Sequence, residues 1–345
     1  VETGAGAGAS TTDDAFKAAG AAIAPDEASA LKDADIVRKV PRPLIEGTNE
    51  VALMKPGALL LCLMAPYAER AVVEACARQK VTAVALEFVP RITRAQSMDV
   101  LSSQANLAGY RAVIDGAAHF KRGFPMMMTA AGTVPPAKVF VMGAGVAGLQ
   151  AIATARRLGA VVSATDVRRA AAEQVQSLGG KFIMVELKED MQTAGGYAKE
   201  LSAEDQARQA ELVANHIKNQ DLVITTALIP GRPAPKLVSR AMVESMKPGS
   251  VIVDLAVEAG GNCELAKMDE VVVHNGVSIV GYSNLPSRIA VDASALYARN
   301  LLNFITPLVD KETKDLKIDW EDEIIKASVL TRDGQIVHPQ FIGKA

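Results

Sequence analysis

The chain has 345 residues, enough for two domains with separate hydrophobic cores. Apolar residues make up 49 % but aromatic ones only 4 %, so those cores are to be built from Ala, Val, Leu, Ile and Met. A net charge of −2 with no basic tract excludes an electrostatic case for nucleic acid. Cys62, Cys76 and Cys263 show no C-x-x-C or metal spacing, so no metal site is expected and a reducing compartment fits. No apolar run reaches the length of a membrane span and no signal peptide is visible, so the chain is expected to be soluble.

Val1-Glu2-Thr3 reads as the end of a strand. Gly4-Ala-Gly-Ala-Gly8 imitates a phosphate-binding turn, but its third glycine comes one residue early and no full strand precedes it; a loop is expected. Thr12 or Asp13 is placed to cap a helix running to Ala22. Short apolar strands at 36–40, 58–64 and 82–88 alternate with a helix at 68–79, which predicts a parallel-sheet α/β domain. Pro90-Arg91-Ile-Thr-Arg-Ala-Gln96-Ser-Met-Asp99 lies past a strand's carboxyl end, where open α/β sheets place their ligands. A long helix is expected from 97 to 120, with Asp99, Ser102, Ser103 and Asn106 on one face and Leu101, Ala105, Ala108 and Ala112 on another. The polar face is equally readable as a site or as solvated surface.

The strongest signal stands at 138–166. An apolar strand, Lys138 to Met142, leads into Gly143, Gly145 and Gly148 in the spacing G-x-G-x-x-G. A helix, 147–158, and a second strand, 160–165, follow, and Asp166 comes 23 residues after Gly143. Gly143 permits the tight turn, Gly145 admits a pyrophosphate to the backbone N–H groups, and Gly148 allows close helix–strand packing. Asp166 is placed to accept from an adenosine ribose, which favours NAD(H) over NADP(H); Arg168 and Arg169 point the other way, but the acid would repel a 2′-phosphate.

Beyond it the pattern continues with helices at 170–178, 206–217 and 238–246 and strands at 181–187, 222–226, 251–255 and 278–281. The polar insert 188–208, with Gly195-Gly196-Tyr197 at its centre, reads as a mobile lid or an inert loop. Residues 225–228 and 254–262 fall on the cofactor side of the sheet. A second long helix is expected at 287–307, and the tail carries two strand-like runs around Asp333-Gly334. The fold class is therefore α/β: two Rossmann-like doubly wound parallel-sheet domains joined by long helices, the first from 1–100 with 297–345 and the second from 101–296.

An ordinary nicotinamide dehydrogenase removes a proton from its substrate as hydride leaves, and needs a placed base. His119, His216, His274 and His338 sit in no motif that supplies one; Lys39, at a strand end, is the one plausible substrate-side cation. A strong nucleotide turn without a proton-transfer pair suggests hydride passing directly to another nicotinamide, or binding without turnover.

The 90–103 run, Phe124-Pro-Met-Met-Met-Thr-Ala-Ala-Gly-Thr, the Gly143 motif, Thr193-Ala-Gly-Gly-Tyr-Ala-Lys-Glu, Ile224-Thr-Thr-Ala-Leu-Ile-Pro-Gly and Asp254-Leu-Ala-Val-Glu-Ala-Gly-Gly-Asn-Cys together resemble the NAD(H)-binding domain I of proton-translocating nicotinamide nucleotide transhydrogenase, almost end to end. The resemblance implies hydride transfer between NAD(H) here and NADP(H) on a domain III, coupled to proton movement through a membrane domain II. By the same resemblance Arg91, Gln96, Asp99 and Ser102 position the nicotinamide and ribose, and Tyr197 closes over bound nucleotide. Val146, Asp166, Val167 and Arg168 line the adenosine side, with Gly196, Ala227 and Leu228 nearby. It further implies a homodimer that binds domain III, peripheral on the cytoplasmic or matrix face of the inner membrane. The family opens with about one more strand–helix unit than is present here. Alanine dehydrogenase is the rival: it is similar in fold and Lys39 matches its substrate lysine, but Leu63 stands where that family has a catalytic histidine. A regulatory NAD-binding module is the third reading.

Overall fold

The structure is a computed structural model that describes residues 1–185, 202–229 and 231–343. Helices α1 (Asp13–Ala18) and α2 (Glu27–Leu31) have first-turn amides capped by the side chains of Thr12 and Asp26. The first ends four residues short of the expected Ala22, through Gly20 at φ +89°. Next come β1 (Ile36–Pro41), α3 (Glu50–Leu53), β2 (Leu59–Leu63), α4 (Arg70–Arg78) and β3 (Thr82–Ala85). The strand expected to reach Phe88 gives way to a 3₁₀ turn at Leu86–Phe88. A further 3₁₀ turn, Thr93–Met98, delays the long helix α5 (Val100–His119) by three residues, because Asp99 is its cap.

Hairpin strands β4 (Met127–Thr129) and β5 (Gly132–Val134) precede β6 (Lys138–Met142), α6 (Val146–Arg157), β7 (Val161–Thr165), α7 (Ala171–Ser177) and β8 (Lys181–Phe182). Then follow α8 (Ala203–Ile217), β9 (Leu222–Thr225), α9 (Arg240–Ser245), β10 (Val251–Asp254), β11 (Val271–His274) and β12 (Val277–Val280). Helices α10 (Ala290–Ile305) and α11 (Glu323–Ser328) and the tail hairpin β13 (Thr331–Arg332) and β14 (Gln335–Ile336) complete the order. The tail hairpin turns at Asp333-Gly334, as expected.

Two compact units result, one of residues 1–103 with 290–345 and the other of 104–289. The sheet of the first unit is parallel, in the order β1-β2-β3. Its central strand is buried on both faces: Leu60 and Cys62 face one cluster with Val73 and Cys76 of α4, Leu59 and Leu61 the other with Leu301 and Phe304 of α10. Such two-sided burial is why these strands read as continuous apolar runs rather than alternating ones.

The second unit has a seven-stranded sheet, β11-β12-β10-β9-β6-β7-β8, parallel except for the β11–β12 pair. Val139, Val141, Ile224 and Val253 pack under Val113 of α5 and Ile152 of α6; Phe140, Met142, Val223 and Ile252 pack under Ile217 of α8 and Val243 of α9. Helices thus cover both faces, the doubly wound arrangement. Strand order reverses between β6 and β9, so the carboxyl ends of those strands form the switch point. Strand β11 was not anticipated; Asn275 and Gly276, both at positive φ, make its two-residue hairpin to β12.

Leu60 has no exposed surface. Leu60→Ala should lower stability by about 2–5 kcal/mol in denaturant titration; a loss below about 1 kcal/mol would contradict the central place of β2 in its sheet.

Candidate functional site

The turn between β6 and α6 is built by close approach. A Cβ added at Gly148 would fall inside the carbonyl oxygen of Gly143, and one at Gly143, where φ is +104°, would overlap the Thr226 hydroxyl. Gly145 differs: it has an ordinary φ of −80° as the N-cap of α6, and among the described residues no side chain caps the helix and an added Cβ would meet only Arg168 Nη2 at 4.0 Å. Among the described residues, then, nothing covers the first-turn N–H groups of this twelve-residue helix beside Gly145, the geometry that holds a phosphate. Val146 opens that helix and is half-buried.

Neighbouring strands grip the turn. Gly143 N–H donates to Thr165 O at the end of β7 (2.8 Å). Thr226, just past β9, donates from its hydroxyl to Gly143 O (3.1 Å). Asp166 accepts from Ala144 N–H at 2.7 Å, and from Arg168 through its backbone N–H (2.9 Å), Nε (2.9 Å) and Nη2 (2.7 Å). Burial pushes the Asp166 carboxyl up, but the Arg168 guanidinium and the Ala144 and Arg168 amides outweigh it, so its pKa lies below the usual carboxylate value. Val167, between the two, is half-buried.

Ala227 and Leu228 follow Thr226, and Leu228 is exposed. Their backbone is held by fully buried Asn262, whose amide accepts from Ala227 N–H (3.0 Å) and donates to Ala227 O (2.9 Å) and Pro235 O (2.8 Å). Asp254, at the end of β10, accepts from Ala256 and Cys263 N–H and shapes the loop that carries Asn262. Sequence reasoning placed 254–262 on this edge of the sheet but did not single out Asn262; its only local signal is an amide after paired glycines. Gly196 and Tyr197, with the rest of 186–201, lie outside the described residues.

Arg91, Gln96, Asp99 and Ser102 belong to the first unit. Asp99 and Ser102 are brought together: the Asp99 carboxylate caps α5 by accepting from Ser102 N–H (2.8 Å) and Ser102 Oγ (2.5 Å). Gln96 is exposed, with no side-chain hydrogen bond among the described residues, and Arg91 is exposed beside it in the loop. The loop is braced: Asn300 and Asn303 both donate to Ser97 O, Asn300 accepts from Ser103 Oγ, and Arg94 forms a two-pronged pair with Asp322. The expected apolar face of α5 is uneven, since Leu101 is exposed while Ala112 is fully buried.

No base emerges elsewhere among the described residues. His119 pairs with Tyr282, His216 with Ser163, His274 with Glu244 and His338 with Ala327 O. Burial lowers the pKa of His216, and Lys181 and Lys138 add to it. Lys39 is ion-paired with buried Glu50. All three cysteines are buried thiols, Cys76 pushed up to about 12 and Cys263 to about 11 by burial. No cluster of three metal-ligating side chains occurs among the described residues, and no helix there is long and apolar enough to cross a membrane.

Gly148→Ala should destabilise the second unit by about 1–3 kcal/mol through overpacking, whereas Gly145→Ala should cost under about 1 kcal/mol; equal thermal shifts for the two would refute the open face at Gly145. The low Asp166 pKa also carries a sign. Its stabilisation is present above the unfolded carboxylate value, about 3.9, and fades as pH falls through the lower folded value. Asp166→Asn, which keeps an acceptor for Ala144, should therefore flatten the acid limb of the stability curve; an unaltered limb would show that the pair adds no stability.

The sequence matches the family models for the alanine dehydrogenase/PNT C-terminal domain at residues 112–339 and N-terminal domain at 1–108. It is 62 % identical to the first of the NAD(P) transhydrogenase alpha subunit polypeptides of Rhodospirillum rubrum, over 100 % of this chain and 91 % of that one. The crystal structure of a transhydrogenase from Sinorhizobium meliloti superposes with a TM-score of 0.88 at 55 % identity, covering 98 % of this chain and 90 % of the other. An L-alanine dehydrogenase structure gives 0.77 at 27 % identity, covering 98 % and 88 %. The chain belongs to the alanine dehydrogenase/PNT family and, within it, groups with the NAD(P) transhydrogenase alpha subunits.

Proposed function

We propose that the chain binds NAD(H) in the turn after β6 and, as domain I of a proton-translocating transhydrogenase, exchanges hydride directly with NADP(H) held by a separate domain III. The observation that carries this reading is the open face of Gly145 before an uncapped helix, with Asp166 anchored at the end of the next strand. Gly143 and Gly148 shape the turn, Gly145 and the first-turn amides of α6 take the pyrophosphate, and Val146, Asp166, Val167 and Arg168 form the adenosine side. Ala227 and Leu228 line the approach.

The bound nucleotide supplies or accepts the hydride. The chain's own part is to place it: Arg91 and Gln96 offer polar groups from a braced loop, while Asp99 and Ser102 fix the start of α5 behind them. One hydride moves between two nicotinamides and no substrate proton is released, so proximity and orientation suffice where an alcohol dehydrogenase needs a base. Structural engagement of all four histidines supports this over alanine oxidation, as do Leu63 and the Lys39–Glu50 pair.

A second copy of the chain is the proposed partner in a homodimer. Met126, Met127 and Met128 are exposed on the β4–β5 hairpin, apolar surface that a second copy would cover. Association with domain III and, through it, membrane domain II places the protein on the cytoplasmic or matrix face of the inner membrane.

The test combines the chain with separately made domain III and follows reduction of an NADP analogue by NADH. Turnover should require both proteins. Oxidation of NADH by the chain alone, dependent on pyruvate and ammonia, would overturn the reading in favour of a dehydrogenase; NADH binding without transfer would leave only a regulatory module. Gln96→Asn should slow transfer about tenfold or more with little change in NADH affinity, and equal losses in both would remove the positioning role.

A further inference from the structure

The carboxylate of Asp166 is already saturated. A carboxylate offers about four lone-pair sites, and four donors occupy this one: Ala144 N–H, and Arg168 through N–H, Nε and Nη2. A ribose hydroxyl reaching Asp166 must therefore displace a donor. The Ala144 amide is locked into the glycine turn, so the mobile competitor is the Arg168 guanidinium. Among the described residues, its Nη2 is also the nearest heavy atom to a Cβ built at Gly145, at 4.0 Å. It is a planar fork of N–H donors, a shape matched to phosphate oxygens.

Resting on the NAD(H) reading above, we propose that Arg168 is a masked receptor for a 2′-phosphate, and that Asp166 sets nucleotide choice in two ways at once. Its charge repels a 2′-phosphate, and its oxygens occupy the guanidinium that would otherwise bind one. With Asp166 ionised, the pair presents no net positive charge at the ribose edge, so NADPH gains nothing from Arg168. With the acid neutralised but the acceptor to Ala144 retained, the turn keeps its shape and the Nε–Nη2 edge of the fork loses its ionic partner. Nucleotide choice then depends on a contact between two protein side chains, not only on the acid itself.

The experiment measures the affinities of NADH, NADPH, 5′-AMP and adenosine 2′,5′-bisphosphate for the intact chain by equilibrium titration. Wild type should favour NADH strongly. Asp166→Asn should raise the NADPH-to-NADH affinity ratio by about ten- to a hundredfold, the range of one or two charge-assisted hydrogen bonds. The bisphosphate should gain over 5′-AMP in the same proportion. Asp166→Asn/Arg168→Gln should lose that gain, and Arg168→Gln alone should still exclude NADPH because the acid remains. Asp166→Ser serves as an independent neutral variant if Asp166→Asn folds poorly, with thermal unfolding checked for each.

Normal NADH binding by wild type with no gain in either neutral variant would overturn the proposal. So would a gain that survives the loss of Arg168, which would place the receptor elsewhere. Failure of wild type to bind NADH at all would instead sink the nucleotide-site reading on which this one rests.

Discussion

The contact on which the second unit depends is the one between the first turn of α6 and the carbonyl of Gly143. No side chain fits at Gly148, so helix and strand end meet backbone to backbone. Because α6 starts that close, its axis and its first-turn N–H groups are set by the strand it follows. The neighbours reinforce the same position: Thr165 O and Asp166 from β7, the Thr226 hydroxyl past β9, and Gly109 of α5, where a Cβ would overlap the carbonyl of Ala147. A turn held from three sides has little freedom to lose on binding a ligand, which is what pre-organisation means in energetic terms.

The same economy of motion governs the polar loop of the first unit. Thr93–Met98 is too short and irregular to hold its own shape, yet Ser97 O takes two asparagine amides from α10 and Arg94 is tied to Asp322. Exposed Gln96 thus projects from a loop whose backbone is restrained on both sides. Reactive groups are otherwise withdrawn: histidines are packed into structural pairs and thiols are kept protonated by burial.

Much of this was legible because its causes are local. The spacing of Gly143, Gly145, Gly148 and Asp166 encodes a turn, a helix start and a strand end within a single βαβ unit, and the structure reproduces each within a residue or two. The hairpin at Asn275-Gly276 carried an equally local signal, but β11 went unread because its four residues lack clear alternation. Thr226 and Asn262 were harder in principle. Each acquires its role from a partner 83 or 35 residues away, and no pattern within a window shows which strand ends become neighbours. The polar face of α5 divided for a similar reason: Asp99 and Ser102 satisfy one another, while Ser103 depends on Asn300 of a distant helix.

Two positions of the first unit, Leu63 and Lys39, separate the proposed hydride exchange from alanine oxidation. In the alanine dehydrogenase pattern a histidine would stand at Leu63, close to the chain reversal where Ala65 adopts φ +48°. Here that reversal is held by Glu87, which accepts from Met64 and Ala65 N–H (3.1 and 2.6 Å) and whose pKa burial raises despite those bonds. Lys39, the matching cation, is neutralised by Glu50. A half-buried carboxyl group at the turn and an ion-paired lysine preserve backbone shape while leaving neither an exposed base nor an unpaired cation at either position. Under the proposed hydride exchange between nucleotides, a general base in that place would have no proton to remove.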